Sequence, residues 1–235
     1  MKFNTVFFDF YNTLATFYPP KEEIQKLSAK KFGLNVTKEG IIKGYLKADE
    51  WMSKEIAKKP IRKLSAQDKL SFFTHYETLI LREDHPNIDK NLASKIWNII
   101  YAYPTKFKLF DDVKNCLQEL KNSKTQIGIL SNIEINSSKL LESLNINHLI
   151  DFMVTSSEVG KTKPAPEIFI EALNLAKTSP KKTVHIGDQI ESDIYGAKNV
   201  GIEAILIDRQ NLHTNYKESL KINTLNNLKN VLSKI

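Results

Sequence analysis

The sequence holds one cysteine, three arginines and eight glycines in 235 residues. Cys116 alone cannot make an internal disulfide, and the opening Met1-Lys2-Phe3-Asn4 lacks the apolar stretch of an export signal, so a reducing, cytoplasmic setting is expected. No apolar run approaches the ~20 residues that span a bilayer, and no membrane partner is expected. Arginine is scarce: Arg62, Arg82 and Arg209 stand against 31 lysines. Proteins that read base edges and phosphates favour arginine's planar fork, so nothing here asks for a specific nucleic-acid partner. Gly-x-Gly-x-x-Gly does not occur, and Gly160-Lys161-Thr162 is no P-loop, because the glycine required five positions earlier is Thr155.

What is present is ordinary for a folded chain: 41% hydrophobic residues, 26% charged and a net charge of +7. The length exceeds a typical ~150-residue domain, which predicts one large domain or one domain carrying an insertion. Much of the positive excess lies between residues 17 and 103, with 16 basic against 11 acidic side chains.

Short apolar runs, Asn4 to Phe8, Thr125 to Leu130, Phe152 to Val154, Thr183 to Ile186 and Ala204 to Ile207, read as buried strands. Helical patterns follow most of them, at Ile133 to Leu144, Pro166 to Ala176 and Glu191 to Val200. Alternating strands and helices predict an α/β, Rossmann-like parallel sheet. From Lys21 to Tyr101 only helical spacing occurs: Phe72, Phe73, Tyr76, Leu79 and Ile80 share one face, and Leu92, Ile96, Ile99 and Ile100 another. Prolines at Tyr18-Pro19-Pro20 and Tyr103-Pro104 bound the stretch. The expectation is a core domain of residues 1–16 and 104–235 interrupted by an all-helical domain at 17–103.

In parallel sheets ligands bind beyond the carboxyl ends of the strands, and those positions are polar here. They hold Asp9-Phe10-Tyr11-Asn12-Thr13, Ser131-Asn132 and Gly187-Asp188-Gln189-Ile190-Glu191-Ser192-Asp193, with Gly160-Lys161-Thr162-Lys163-Pro164 between them. Asp9 and Asp188 at adjacent strand ends would demand a cation, and carboxylate oxygens without clustered Cys or His favour Mg²⁺ over zinc. A carboxylate can then attack phosphorus while a lysine and a hydroxyl, Lys163 and Ser131, offset the phosphoryl charge. Each residue also has a plainer reading. Asp9 can close a turn, Ser131 and Asn132 can cap a helix, and Asp193 can stabilise a first helical turn. His185 reads as a core histidine, Lys161 competes with Lys163, and the aromatics of the helical domain read mostly as bundle core.

Asp-x-x-x-Thr, Ser-Asn, Lys-Pro and Gly-Asp-x4-Asp, in that order, resemble the four signatures of the haloacid dehalogenase (HAD) superfamily. The resemblance covers the whole α/β part and implies a HAD-like core with a helical cap at 17–103. It implies Asp9 as nucleophile, Thr13 and Ser131 as phosphate ligands with Asn132 beside them, and Lys163 as charge stabiliser. It further implies a Mg²⁺ held by Asp9, Asp188 and the Tyr11 backbone carbonyl, with Asp193 supporting it directly or through a water. The implied activity is Mg²⁺-dependent phosphatase action on a small phosphorylated metabolite through an aspartyl-phosphate. The chain itself is expected as monomer or homodimer.

Two departures keep alternatives open. Phosphatases of the superfamily carry Asp-x-Asp, their second aspartate being the general acid and base, whereas position 11 is Tyr11. Tyrosine there resembles the 2-haloacid dehalogenases, which would act metal-free on a small haloacid. That branch, however, lacks Gly-Asp-x4-Asp and uses an early cap arginine, while this chain has none before Arg62 and offers Lys43 and Lys47 instead. A non-catalytic HAD-like binding module is the third reading.

Overall fold

A computed structural model describes residues 2–133 and 135–235. It separates into two compact units, residues 1–16 with 107–235, and residues 17–106. The division falls three residues beyond the expected Tyr103-Pro104 boundary. At that boundary Lys106–Leu109 is a strand, β3, that pairs with β2, Ala15–Tyr18, in a separate two-stranded sheet. Both strands are short and partly exposed, so no long apolar run announces them.

The first unit is built on six parallel strands in the order β5-β4-β1-β6-β7-β8. They are β1 (Thr5–Phe8), β4 (Gln126–Ser131), β5 (Phe152–Thr155), β6 (Thr183–Gly187), β7 (Glu203–Ile207) and β8 (Leu220–Ile222). Five match the expected strands within a residue or two. β8 was not foreseen, because three half-exposed residues make no buried run. The Thr-Val-Phe-Phe of β1 is β-branched and aromatic and buried throughout. Its side chains alternate between faces. Val6 and Phe8 join Ile127, Ile129, Val184 and Ile186 under helices α5 (Val113–Asn122), α6 (Ser137–Ser143) and α10 (Leu228–Leu232). Phe7 faces the opposite way, with Leu130, Val154 and Leu206, under α8 (Pro166–Ala176). Gly128 is required here: a Cβ would lie 2.5 Å from the Phe152 ring, which meets Phe7 edge-on at 5.8 Å.

Two expected helices differ in extent. The pattern at Ile133 to Leu144 becomes helical only at Ser137, where the Asn136 side chain caps the Lys139 amide; Glu134 lies outside the described residues. The pattern at Glu191 to Val200 is a wide π-type turn over Ile190–Tyr195 followed by a short helix, α9, at Gly196–Asn199. After β5 the chain forms the short helix α7, Ser156–Val159, closed by Gly160 at φ +81°.

The second unit is helical throughout its interior: α1 (Lys21–Lys30), α2 (Lys38–Lys58), α3 (Ala66–Leu81) and α4 (Lys90–Ala102). Thr37, Ser65 and Asp89 cap the last three by accepting from the amides of Gly40, Asp68 and Leu92. Tyr45, Tyr76, Ile80 and Ile96 lie in its core with Trp51 and Trp97 packed against them, and Phe73 stacks on Trp97 at 4.5 Å. No helix among the described residues is long and apolar enough to cross a membrane.

Candidate active site

β1 pairs with β4 on one side and β6 on the other, so the chain reverses its winding about this strand, where open α/β sheets place ligand crevices. The register aligns Phe8 with Ile129 and with Ile186. Asp9 therefore follows one strand end while Ser131 and Asp188 stand two residues beyond the aligned positions on its neighbours. The Asp9 amide donates to the Ile186 carbonyl at 2.8 Å. Residues 10–15 then fold back: the amides of Leu14 and Ala15 donate to the Phe10 carbonyl and that of Asn12 to the Ala15 carbonyl. Asn12 takes the left-handed conformation at φ +62°, one that Asn tolerates better than most residues.

Lys163 sits at the centre, 2% exposed. Its ammonium donates to Asp9 Oδ1 at 2.6 Å and to Asp193 Oδ1 at 2.7 Å. Lys161 is exposed and pairs with Glu167 at 3.6 Å, so of these two lysines it is Lys163 that the fold brings to the aspartates. Asn132 holds the lysine by its backbone. Its Oδ1 accepts from the Lys163 amide at 2.7 Å and its Nδ2 donates to the Lys163 carbonyl at 3.1 Å. The expected substrate ligand Asn132 thus has its amide committed to the protein. Ser131 is buried, and its hydroxyl oxygen accepts from the Ile133 amide at 3.2 Å, which keeps the O–H proton for a further partner. The Thr13 hydroxyl is fully buried without a hydrogen-bond partner.

Carboxylate oxygens of Asp9, Asp188 and Asp193 lie within 4.8 Å of one another. Both oxygens of Asp193 are engaged: Oδ1 accepts from Lys163 and from His185 Nε2 at 3.0 Å, and Oδ2 from the Gln189 amide at 3.0 Å. The spacing Gly-Asp-x4-Asp explains this geometry. The wide turn brings the Asp193 side chain back onto the Gln189 amide, while Ile194 N donates five residues back to the Gln189 carbonyl. π-type turns of this kind concentrate at functional sites. Gly187 is obligatory beneath it, since a Cβ would fall 2.2 Å from Asp193 Cγ. His185 is a fully buried core histidine, as its strand position suggests, and it is also the residue that orients Asp193. Sequence reading missed that second role, although a histidine two residues before the Gly187 that approaches Asp193 was the available signal.

The electrostatics follow from burial. Burial pushes the Asp9 carboxyl up to about 6, partly offset by Lys163 and reinforced by Asp193. Burial works against the Lys163 ammonium, yet the two carboxylates outweigh it and hold the group protonated above its ordinary range. Asp193 is held well below the usual carboxylate range, because Lys163 and the bond from His185 overcome its desolvation. His185 is depressed by burial and neutral. Three carboxylates and one ammonium leave a local charge of about −2, and Asp9 Oδ2 is buried with no hydrogen-bond partner. Hard oxygen donors, that charge and that orphaned oxygen fit a small dication.

A six-stranded parallel sheet flanked by helices, with Asp9, Ser131 and Asp188 at its strand ends and Lys163 brought to them by the loop before α8, defines a Rossmann-like α/β core. The family model described as haloacid dehalogenase-like hydrolase matches residues 3–201, and the chain belongs to that family. It is similar to the glyceraldehyde 3-phosphate phosphatase of Methanothermobacter thermautotrophicus, 30% identical over 195 residues, 77% of this chain and 84% of that protein. It is 28% identical to the ribulose-1,5-bisphosphate 5-phosphatase of Halopiger xanaduensis over 86% of this chain and 84% of that one. Among solved structures, the HAD-hydrolase YfnB of Bacillus subtilis, bound to magnesium, aligns with a TM-score of 0.67 at 16% identity over 99% of this chain and 100% of its own. That likeness concerns the fold.

Proposed function

We propose that the protein is a Mg²⁺-dependent phosphatase of a small phosphorylated metabolite, with Asp9 as nucleophile. The observation that carries the reading is the buried Lys163 ammonium bridging Asp9 and Asp193 beside an unpartnered Asp9 oxygen. The relatives named as sugar-phosphate phosphatases support it. An Asp9 carboxylate oxygen attacks phosphorus, an O–P bond to Asp9 forms as the ester P–O bond breaks, and the departing alkoxide takes a proton from the Tyr11 hydroxyl. Water then attacks phosphorus and gives up a proton that restores the Tyr11 hydroxyl, the bond to Asp9 breaks, and inorganic phosphate departs. Lys163, the Ser131 hydroxyl and the Thr13 hydroxyl bind the phosphoryl oxygens and offset their charge. Mg²⁺ would be held by Asp9, Asp188 and the Tyr11 carbonyl, and when bound it supplies charge neutralisation for the attacked phosphoryl group. Asp193, whose carboxylate accepts three hydrogen bonds from the protein, fixes Lys163 and would support the metal directly or through a water.

Phosphate release from p-nitrophenyl phosphate, measured with Mg²⁺ and with chelator, tests the reading. Activity that chelator abolishes and Asp9→Asn eliminates without unfolding is expected; no release, or release indifferent to chelator, overturns it. A second reading rests on Tyr11, which resembles the residue in dehalogenases: hydrolytic removal of halide from a 2-haloacid, with Asp9 attacking carbon. Halide release from 2-chloropropionate in the presence of chelator would favour it.

A further inference from the structure

Thr13 donates nothing to the protein through its hydroxyl, but its carbonyl is held from an unexpected quarter. The Arg209 guanidinium donates twice to the Thr13 carbonyl, from Nε at 3.1 Å and Nη2 at 2.8 Å. The same fork donates to both oxygens of Asp112, from Nη1 at 2.9 Å and Nη2 at 3.0 Å. Asp112 is anchored in turn by the Thr224 hydroxyl at 2.6 Å and the Leu225 amide at 2.8 Å. The guanidinium carbon lies over the Phe110 ring, 4.0 Å from its centroid, and the Phe110 amide donates to the Leu14 carbonyl. Two adjacent residues of the loop that follows Asp9 are thus tied to one anchor. Arg209 and Asp112 are mostly buried, at 13% and 9% side-chain exposure. In a chain with 31 lysines and three arginines, a lysine here could not make this planar set of contacts.

We infer that Arg209 is a positioning residue for the reaction: through the Thr13 carbonyl it fixes the Thr13 hydroxyl relative to Asp9. The inference rests on the phosphatase reading, which makes the Thr13 hydroxyl a phosphoryl ligand. Displacements on the order of 1 Å can cost about 10²-fold in rate, so loosening this anchor is read in turnover. A purely structural brace would instead lower the melting temperature and leave turnover per folded molecule unchanged.

The test is a double-mutant cycle on p-nitrophenyl phosphate hydrolysis with Arg209→Lys, Thr13→Val and the pair, melting temperature being measured alongside. Arg209→Lys is expected to lower kcat about 10–100-fold with KM within threefold, and to cost less than threefold in the Thr13→Val background. An unchanged kcat per folded molecule, or the same fold-loss in both backgrounds, overturns the inference. If Arg209→Lys does not fold, Asp112→Asn takes its place in the cycle with the same criteria. If the unmodified protein releases no phosphate, the phosphatase reading fails by itself, and orthovanadate binding by calorimetry becomes the readout. An affinity weakened about tenfold by Arg209→Lys only when Thr13 is intact then supports positioning, whereas equal affinities, or no vanadate binding, overturn it.

Discussion

Glu77 is a carboxyl group that burial holds against ionisation. It is fully buried among the helices of residues 17–106, its Oε1 accepts from Gln25 Nε2 at 2.5 Å, and its Oε2 has no hydrogen-bond partner. Gln25 is held in turn by the Tyr45 hydroxyl at 3.1 Å. Burial pushes Glu77 up to about 8 from an ordinary 4.5, with the Gln25 bond only partly opposing it. The folded state therefore keeps the proton over a range in which the unfolded chain loses it. Stability from this group is fully present below about pH 4.5, falls by about 1.4 kcal/mol per pH unit above that, and levels off past about pH 8. The accumulated loss by pH 8 is roughly 4 kcal/mol. Glu77→Gln keeps the acceptor for Gln25 and removes the ionisation. It is expected to match the parent within about 1 kcal/mol at pH 5 and to exceed it by several at pH 8. Both tryptophans, Trp51 and Trp97, lie in this helical unit, so urea unfolding followed by their fluorescence reports on it directly. With a urea slope of about 1–1.5 kcal/mol per molar, the midpoints should separate by about 3 M at pH 8. Equal pH slopes in the two proteins would refute the argument, because they would mean that Glu77 reaches water or a partner in solution.

Other outcomes follow from contacts at the site. Gly187→Ala drives a methyl group into the Asp193 carboxylate and should cost about 1–3 kcal/mol of stability and most of the phosphatase activity; unchanged unfolding and turnover would show that Asp193 can move aside. Asn132→Ala removes both ties to the Lys163 backbone and should lower kcat by about tenfold or more with little change in KM, whereas a rise in KM alone would restore Asn132 as a substrate ligand. Lys163→Ala should abolish turnover while Lys161→Ala alters it less than twofold, and similar losses in steady-state assays would reverse their assignment. Tyr11, a weaker acid than a carboxylic acid, should make alkyl phosphates much slower than aryl or acyl phosphates. Tyr11→Asp should narrow that gap, since a general acid is worth about 10²–10⁴-fold; equal rates in the parent would place proton donation elsewhere.

The core sheet was legible because a strand buried on both faces is largely apolar along its length, as Val6–Phe8 and Ala204–Ile207 are. β2, β3 and β8 escaped because short, half-exposed strands leave no such signature. The polar residues at strand ends were legible from sheet architecture alone, and Asp9, Ser131 and Asp188 stand there. What could not be read was which polar groups satisfy one another. Asn132 has the composition of a ligand, yet its partners are backbone atoms 31 positions away. His185 looks like packing and is also the brace of Asp193. Arg209 follows Asp208 at the end of β7, the same kind of position that flagged Asp9, but its role depends on Asp112 and Thr13, which only tertiary folding brings near.

The reciprocal pairing of Asn132 with Lys163 gives one side chain the hydrogen-bonding pattern of a strand neighbour. The segment carrying Lys163 is thereby docked on the very end of β4, immediately beside Ser131. Any drift of that strand end carries the Ser131 side chain and the Lys163 backbone along together, so the lysine enters the site from a fixed base while Asp9 and Asp193 set where its ammonium rests. A molecule built this way uses one asparagine to hold two segments in register, so that the long lysine side chain has only its own rotamers left to settle.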